Sequence, residues 1–242
     1  FTFAIQTIGA VALYPQFLAA GVENTLWMAV FHAVSAFCTA GVALFATSFE
    51  GFRDQPLLLM TVAGLAWCGA LGFLVLSEFV DAARGRRKGL GFTSRVALLV
   101  TGLYTVNCTL ILLAVEPSIR ALPAQDQLWN AIFMVMSAGT TVGFNSVPVS
   151  TLAPAVVVIL YLIMVFGASP GGTGGGLKSS TFAIMAALVV STLRRRSRVT
   201  LLGLAALARP ARAAPDRPAP VSRGAPTARA QPAPGQSLRP PD

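Results

Sequence analysis

Two short turns hold the residues of this chain that could do chemistry: Thr39-Ala40-Gly41-Val42 and Thr140-Thr141-Val142-Gly143-Phe144. Each follows an apolar segment and sets a glycine beside threonine. The chemistry on offer is neither acid–base nor nucleophilic. Main-chain carbonyl oxygens that face one way replace the water shell of a cation, and a glycine supplies the positive φ that such a ladder needs. Leu128 to Phe144 is the fuller example. A helix of about 12 residues rises about 18 Å, roughly half of a 30 Å hydrocarbon core, so this segment could enter a membrane without crossing it. Non-helical backbone at that depth is tolerated only where it is buried in protein or lines a watery path.

Other chemistries find no residues to carry them. His32 is the only histidine and has no carboxylate or cysteine at ligand spacing, so it reads as a packed or hydrogen-bonded core residue. Cys38, Cys68 and Cys108 lie in apolar segments and read as small buried residues. The glycine-rich run ending in Lys178-Ser179 looks superficially like a phosphate loop. Leu177 separates Gly176 from Lys178, which breaks the required spacing, and the flanks are apolar. No enzyme activity and no cofactor are expected; the only metal expected is a transported cation at the turn carbonyls.

The elements that position these turns belong in a bilayer. The chain is 55% hydrophobic and 11% charged, a composition from which a solvated surface is hard to build. Mean hydropathy is +0.69. The net charge of +9 comes from basic residues clustered between and after apolar runs, which is the positive-inside pattern and not that of a nucleic-acid binder. Phe1 to Leu18 is expected as a first membrane helix, cut short at its start, within a chain that reads as a fragment of something longer. Asn24 to Cys38 is too short to span. Leu57 to Phe79 and Val96 to Val115 are each long enough. Pro154 to Phe166 is a further apolar helix. With the basic loop at 84–95 and Arg194, Arg195, Arg196 and Arg198 in the cytoplasm, both half-helices enter from outside. The outer connectors carry Glu23, Glu50, Asp54, Glu116 and Asp126 against Arg53 and Arg120, an acidic excess that could concentrate cations.

An internal repeat supports this order. An offset of 102 residues superposes Leu26, Trp27, Ala29 and Phe31 on Leu128, Trp129, Ala131 and Phe133. Ser35, Ala36, Thr39 and Gly41 fall on Ser137, Ala138, Thr141 and Gly143. The unit is helix, re-entrant pore loop, helix, in the same orientation twice, and parallel repeats arrange around an axis normal to the membrane. The fold class expected is therefore an all-α membrane protein with parallel repeats around a pore axis. Its parts are a pore repeat at 1–83, a basic cytoplasmic loop at 84–95, a second repeat at 96–192 and a disordered, proline-rich basic tail at 193–242. Gly167 to Gly176 interrupts a hydrophobic stretch that is far longer than one span. It reads as an intramembrane loop in a broken helix, with Gly171, Gly172, Gly174, Gly175, Gly176 and Lys178 forming or steadying a gate.

These residues resemble the TrkH/KtrB/HKT superfamily of potassium transporters. FHAVSAFCTAGVALF at 31–45, GALGFLVLSE at 69–78 and MSAGTTVGFNSV at 136–147 are similar to its filter regions and adjoining helix. GASPGGTGGGLKSSTF at 167–182 is similar to its intramembrane gating loop. The resemblance implies potassium uptake through a filter made by Thr39, Ala40, Gly41, Val42, Thr140, Thr141, Val142, Gly143 and Phe144, as the second and third of four repeats. It also implies a multi-pass cell-membrane location, a cytoplasmic nucleotide-binding regulatory subunit and a homodimeric full-length form. The chain departs from the family in having two repeats, in Thr140 where bacterial members often have arginine, and in Val42 where they often have phenylalanine. After Ser191 the basic tail replaces a fourth repeat, which reads as truncation or a change of frame. A secondary transporter for another substrate and a non-conducting remnant are the alternative expectations.

Overall fold

The computed structural model describes residues 1–86, 89–165 and 169–178, with 181, 184–185, 188–189, 199–201 and 204–206. Seven helices are described: α1 (Thr2–Ala19), α2 (Thr25–Phe37), α3 (Pro56–Ala83), α4 (Phe92–Val115), α5 (Pro117–Arg120), α6 (Ala124–Thr140) and α7 (Pro154–Val165). Helices α1, α3 and α4 are long and apolar enough to cross a membrane. The 13 residues of α2 rise about 20 Å and the 17 of α6 about 26 Å, both short of a ~30 Å core. Helix α6 starts four residues before the Leu128 expected from sequence, because the polar Ala124–Gln127 turn is helical as well.

Two buried clusters hold these helices. One joins Leu13 and Phe17 of α1, Ala29 and Ala33 of α2, and Leu58, Leu59 and Val62 of α3. The other joins Leu112 of α4, Met134, Val135 and Ala138 of α6, and Val156, Leu160 and Ile163 of α7. Helix α6 belongs to both, since its Phe133 and Met136 face the first cluster. A helix buried along most of its length, as α6 is, suits the middle of a bundle. Shape matters more than burial here, because lipid tails are as apolar as the side chains. Close approaches are accordingly made at small residues: a methyl on Gly9 would lie 2.5 Å from Leu65 Cδ2, and one on Gly139 would lie 2.4 Å from the Tyr104 ring.

Two carboxylates, one half-buried and one fully buried, pin helix ends. Glu78 Oε2 accepts from Gly91 N at 2.7 Å and Ser94 Oγ at 2.6 Å, holding the start of α4 against α3. Glu116 is fully buried and accepts from Ser118 N at 3.1 Å and Ala153 N at 3.0 Å, tying the α4–α5 corner to the start of α7. Its expected place among cation-collecting carboxylates is therefore corrected: it is a structural staple.

Other expectations need amendment. The span read at 57–79 is one helix in outline only, for Gly72 breaks α3 with φ 75° and ψ 167°. Cys38 is exposed and Cys68 and Cys108 are half-buried, so none is a fully buried filler. Within the expected structureless tail, Val199–Leu201 and Leu204–Ala206 form a short antiparallel hairpin. This hairpin and an isolated bridge at Leu177 are the exceptions to all-helical regular structure among the described residues. Residues 207–242 lie outside the described residues, as do Arg87, Lys88, 166–168 and most of 179–198, so the expectations for the tail there and for Gly167 fall on residues not described.

Replacing Glu116 by alanine leaves two backbone donors without acceptors inside the bundle. The expected loss is about 2–3 kcal/mol, read as a lower unfolding temperature of the purified protein in detergent, with Glu116→Gln losing less.

Candidate functional site

The two glycine turns share one backbone. At the end of α2, Thr39 N bonds Ala36 O and Ala40 N bonds Ser35 O; at the end of α6, Thr141 N bonds Ala138 O and Val142 N bonds Ser137 O. Ser35 Oγ donates to Val42 O at 2.7 Å, and Ser137 Oγ donates to Phe144 O at 2.5 Å. Every one of these pairs is related by the offset of 102. Handedness alternates along each turn: φ is 50° at Thr39 and 68° at Gly41, and 59° at Thr141 and 85° at Gly143, while Ala40 and Val142 keep negative φ. Alternation of this kind gathers N–H groups on one side of the chain and carbonyls on the other.

A left-handed threonine is costly, about 1–2 kcal/mol, because its branched side chain crowds the backbone. Each threonine offsets this cost by donating its hydroxyl to the preceding carbonyl, Thr39 to Cys38 O at 2.8 Å and Thr141 to Thr140 O at 2.7 Å. The same side-chain bond at both turns marks it as a designed part of the repeat.

The turns lie side by side. A Cβ on Gly41 would fall 1.7 Å from Val142 O, so the second turn's carbonyl occupies the space a side chain would need. A Cβ on Gly143 meets nothing within 4 Å. Beyond the turns, Phe49 N donates to Asn145 O at 3.0 Å, Asn145 N donates to Ser48 Oγ at 3.2 Å, and Asn145 Nδ2 donates to Glu50 Oε1 at 2.5 Å. Phe144 is fully buried against Phe49, with ring centroids 5.0 Å apart.

The glycine-rich loop packs against the end of α2, the second turn and the break in α3. That break frees the carbonyls of Gly69 and Ala70, and the loop supplies their donors: Thr173 N to Gly69 O at 3.0 Å and Ser169 N to Ala70 O at 3.2 Å. Thr173 Oγ1 donates to Phe37 O, the last residue of α2, at 3.1 Å. Gly175 N donates to Thr141 Oγ1 at 2.7 Å. Glycine is required on both sides of the junction. Added methyls would lie 2.4 Å from Gly172 N at Gly72, 1.9 Å from Ala70 O at Gly172 and 1.8 Å from Phe37 O at Gly69. Lys178 Nζ turns back to Gly174 O at 2.8 Å and Gly172 O at 3.5 Å, so its ammonium is held by loop carbonyls.

Of the site residues read from sequence, both turns, the loop glycines 171–176 and Lys178 come together here. Glu50, Arg53, Asp54 and Asp126 line an open cavity of about 560 Å³ between the 50–54 corner and the start of α6. Among the described residues no group of three acidic, histidine or cysteine side chains is placed to hold a metal ion. Sequence reasoning missed Gly69, Gly72, Thr173 and Asn145. Ser35 and Ser137 were visible in the repeat register, but as markers of similarity and not as carbonyl donors.

Residues 1–206 match the family described as TrkH, cation transport protein. The chain belongs to that family. It is 34% identical over 209 residues to the Ktr system potassium uptake protein B of Vibrio alginolyticus, covering 83% of this chain and 45% of the relative. It is 30% identical over 207 residues to the potassium/sodium uptake protein NtpJ of Enterococcus hirae, covering 84% of this chain and 45% of the relative. The chain thus spans less than half the length of these TrkH-family relatives. The fold is similar to that of the potassium transporter TrkH from Vibrio parahaemolyticus, with a TM-score of 0.67 at 21% identity over 80% of this chain and 40% of that one.

The two glycines are equivalent in the repeat but not in their surroundings. Gly143→Ala is expected to cost only left-handed strain, about 1–2 kcal/mol. Gly41→Ala must also displace the Val142 carbonyl, so it is expected to lower the unfolding temperature of the purified chain by clearly more, measured side by side in detergent.

Proposed function

We propose that this chain is part of a potassium-uptake transporter in which Thr39 to Val42 and Thr140 to Phe144 are two adjacent walls of a carbonyl filter. The observation that carries the reading is the duplicated turn: alternating handedness, a serine-fixed outer carbonyl and a Gly41–Val142 contact that sets the two walls shoulder to shoulder. A potassium ion sheds water only where carbonyl dipoles already point at it, and a wall whose carbonyl positions are set by hydrogen bonds does not have to reorganise as the ion arrives. Two of the relatives are named for potassium or potassium/sodium uptake, which agrees with this cargo.

The loop from Ser169 to Lys178 is the gate in this reading. It is attached to the rest of the protein by a handful of neutral hydrogen bonds, each worth about 0.5–1.5 kcal/mol, so a modest input can release it. Lys178 places a tethered cation on the loop's own carbonyls, which opposes passage of a free one until the loop moves. A cytoplasmic nucleotide-binding subunit and assembly as a homodimer complete the proposal, with the basic loop and tail on the cytoplasmic side.

The test is growth of a potassium-uptake-deficient bacterium on low potassium. The full-length protein is expected to rescue growth, and Gly143→Ser to weaken selectivity for potassium over sodium; unchanged selectivity in that variant argues against the filter. Thr173→Val keeps side-chain shape but removes the loop's bond to Phe37 O, and is expected to raise basal rubidium uptake a few-fold by loosening the gate.

A further inference from the structure

His32 is the one histidine of the chain and is fully buried in α2. Its Nδ1 lies 2.8 Å from Met28 O, and Leu44 N donates to its Nε2 at 3.2 Å. Both partners are main-chain groups with fixed roles: a carbonyl only accepts and an amide only donates. One protonation state satisfies both, the neutral imidazole with its proton on Nδ1 and a bare lone pair on Nε2. The ring is stacked on Phe45 at 4.8 Å and edged by Phe49 at 5.4 Å, Phe31 at 5.5 Å and Phe17 at 5.6 Å.

Leu44 is the second residue after Val42, on the limb that leaves the first turn. Helix α2 therefore grips this limb at two successive points, Ser35 on the Val42 carbonyl and His32 on the Leu44 amide. The second turn is built otherwise. Position 134, the repeat equivalent of 32, is methionine, and the limb leaving Phe144 is held instead by Asn145 bonding to Ser48 and Glu50. Without His32, the Leu44 amide loses its only described partner and the first limb keeps Ser35 alone.

We infer that His32 is a positioning residue for ion selectivity: as the neutral Nδ1–H tautomer it fixes the outgoing limb of the first turn, and through it the Val42 carbonyl. This rests on the filter reading above. The experiment uses the full-length transporter. His32→Phe keeps an aromatic ring but removes both hydrogen bonds, whereas His32→Gln keeps one donor and one acceptor at similar reach. At equal abundance in the membrane, the phenylalanine variant is expected to discriminate potassium from sodium about five- to tenfold less well, as loss of one buried hydrogen bond predicts, and glutamine to restore most of it. Wild-type discrimination in the phenylalanine variant overturns the inference. If that variant does not reach the membrane, nitrogen-15 NMR of the purified wild type decides. The imidazole pair absent from His32→Gln is expected to be protonated at Nδ1 and bare at Nε2; an Nε2–H tautomer or an imidazolium at neutral pH overturns it. Gly143→Ser, run alongside, separates the two failures: if it shifts selectivity while His32→Phe does not, only the role of His32 falls, and if Gly143→Ser leaves selectivity unchanged, the filter itself does.

Discussion

A main-chain polar group that leaves a helix inside hydrocarbon must find another partner, since no water is there to serve it. This constraint explains most of what is distinctive in the chain. Helices α2 and α6 end in glycine turns, α3 breaks at Gly72, and a glycine loop packs at the break. Each departure is answered by a specific donor or acceptor. Ser35 and Ser137 hold the carbonyls that follow the turns. The amides of Ser169 and Thr173 meet the carbonyls that the break in α3 releases. His32 takes up the Leu44 amide. The break and the loop are two halves of one solution, for each supplies what the other lacks, and neither makes sense alone in lipid.

The repeat is close in backbone and loose in its supports. The turns agree in φ, in their capping bonds and in their threonine hydroxyls. Their outer limbs do not: one is held by a histidine from its own half-helix, the other by residues of the preceding unit. The backbone geometry is the part that both units keep. Supports need only hold that geometry, and several side chains do so equally well.

Much of this was legible in the sequence because it depended on length, hydropathy and local pattern. A short apolar run with a glycine two residues after a threonine gives a short helix and a turn, and the shared Trp27 and Trp129 with Ser35 and Ser137 fix the register. What stayed hidden depended on contacts across the fold. Gly72 sits in an apolar run whose composition is that of a plain membrane helix, and its positive φ becomes necessary only once Gly171 and Gly172 press against it. Glu116 counts as an exposed acid in any tally of loop charge until Ala153 and Ser118 are seen to bond it. His32 read correctly as a core residue, but its hold on Leu44 requires knowing where the chain returns after the turn.

The contact between Gly41 and Val142 also bears on how such a chain can change over generations. Copies of a duplicated segment ordinarily drift apart, each accumulating its own substitutions. Here the carbonyl of one copy fills the space where the other would place a side chain, so Gly41 answers to a residue in the other turn. Gly143 has no such neighbour among the described residues. Two positions that correspond in the repeat therefore have different freedoms: a substitution at one must be matched in the other turn, and a substitution at the other need not be.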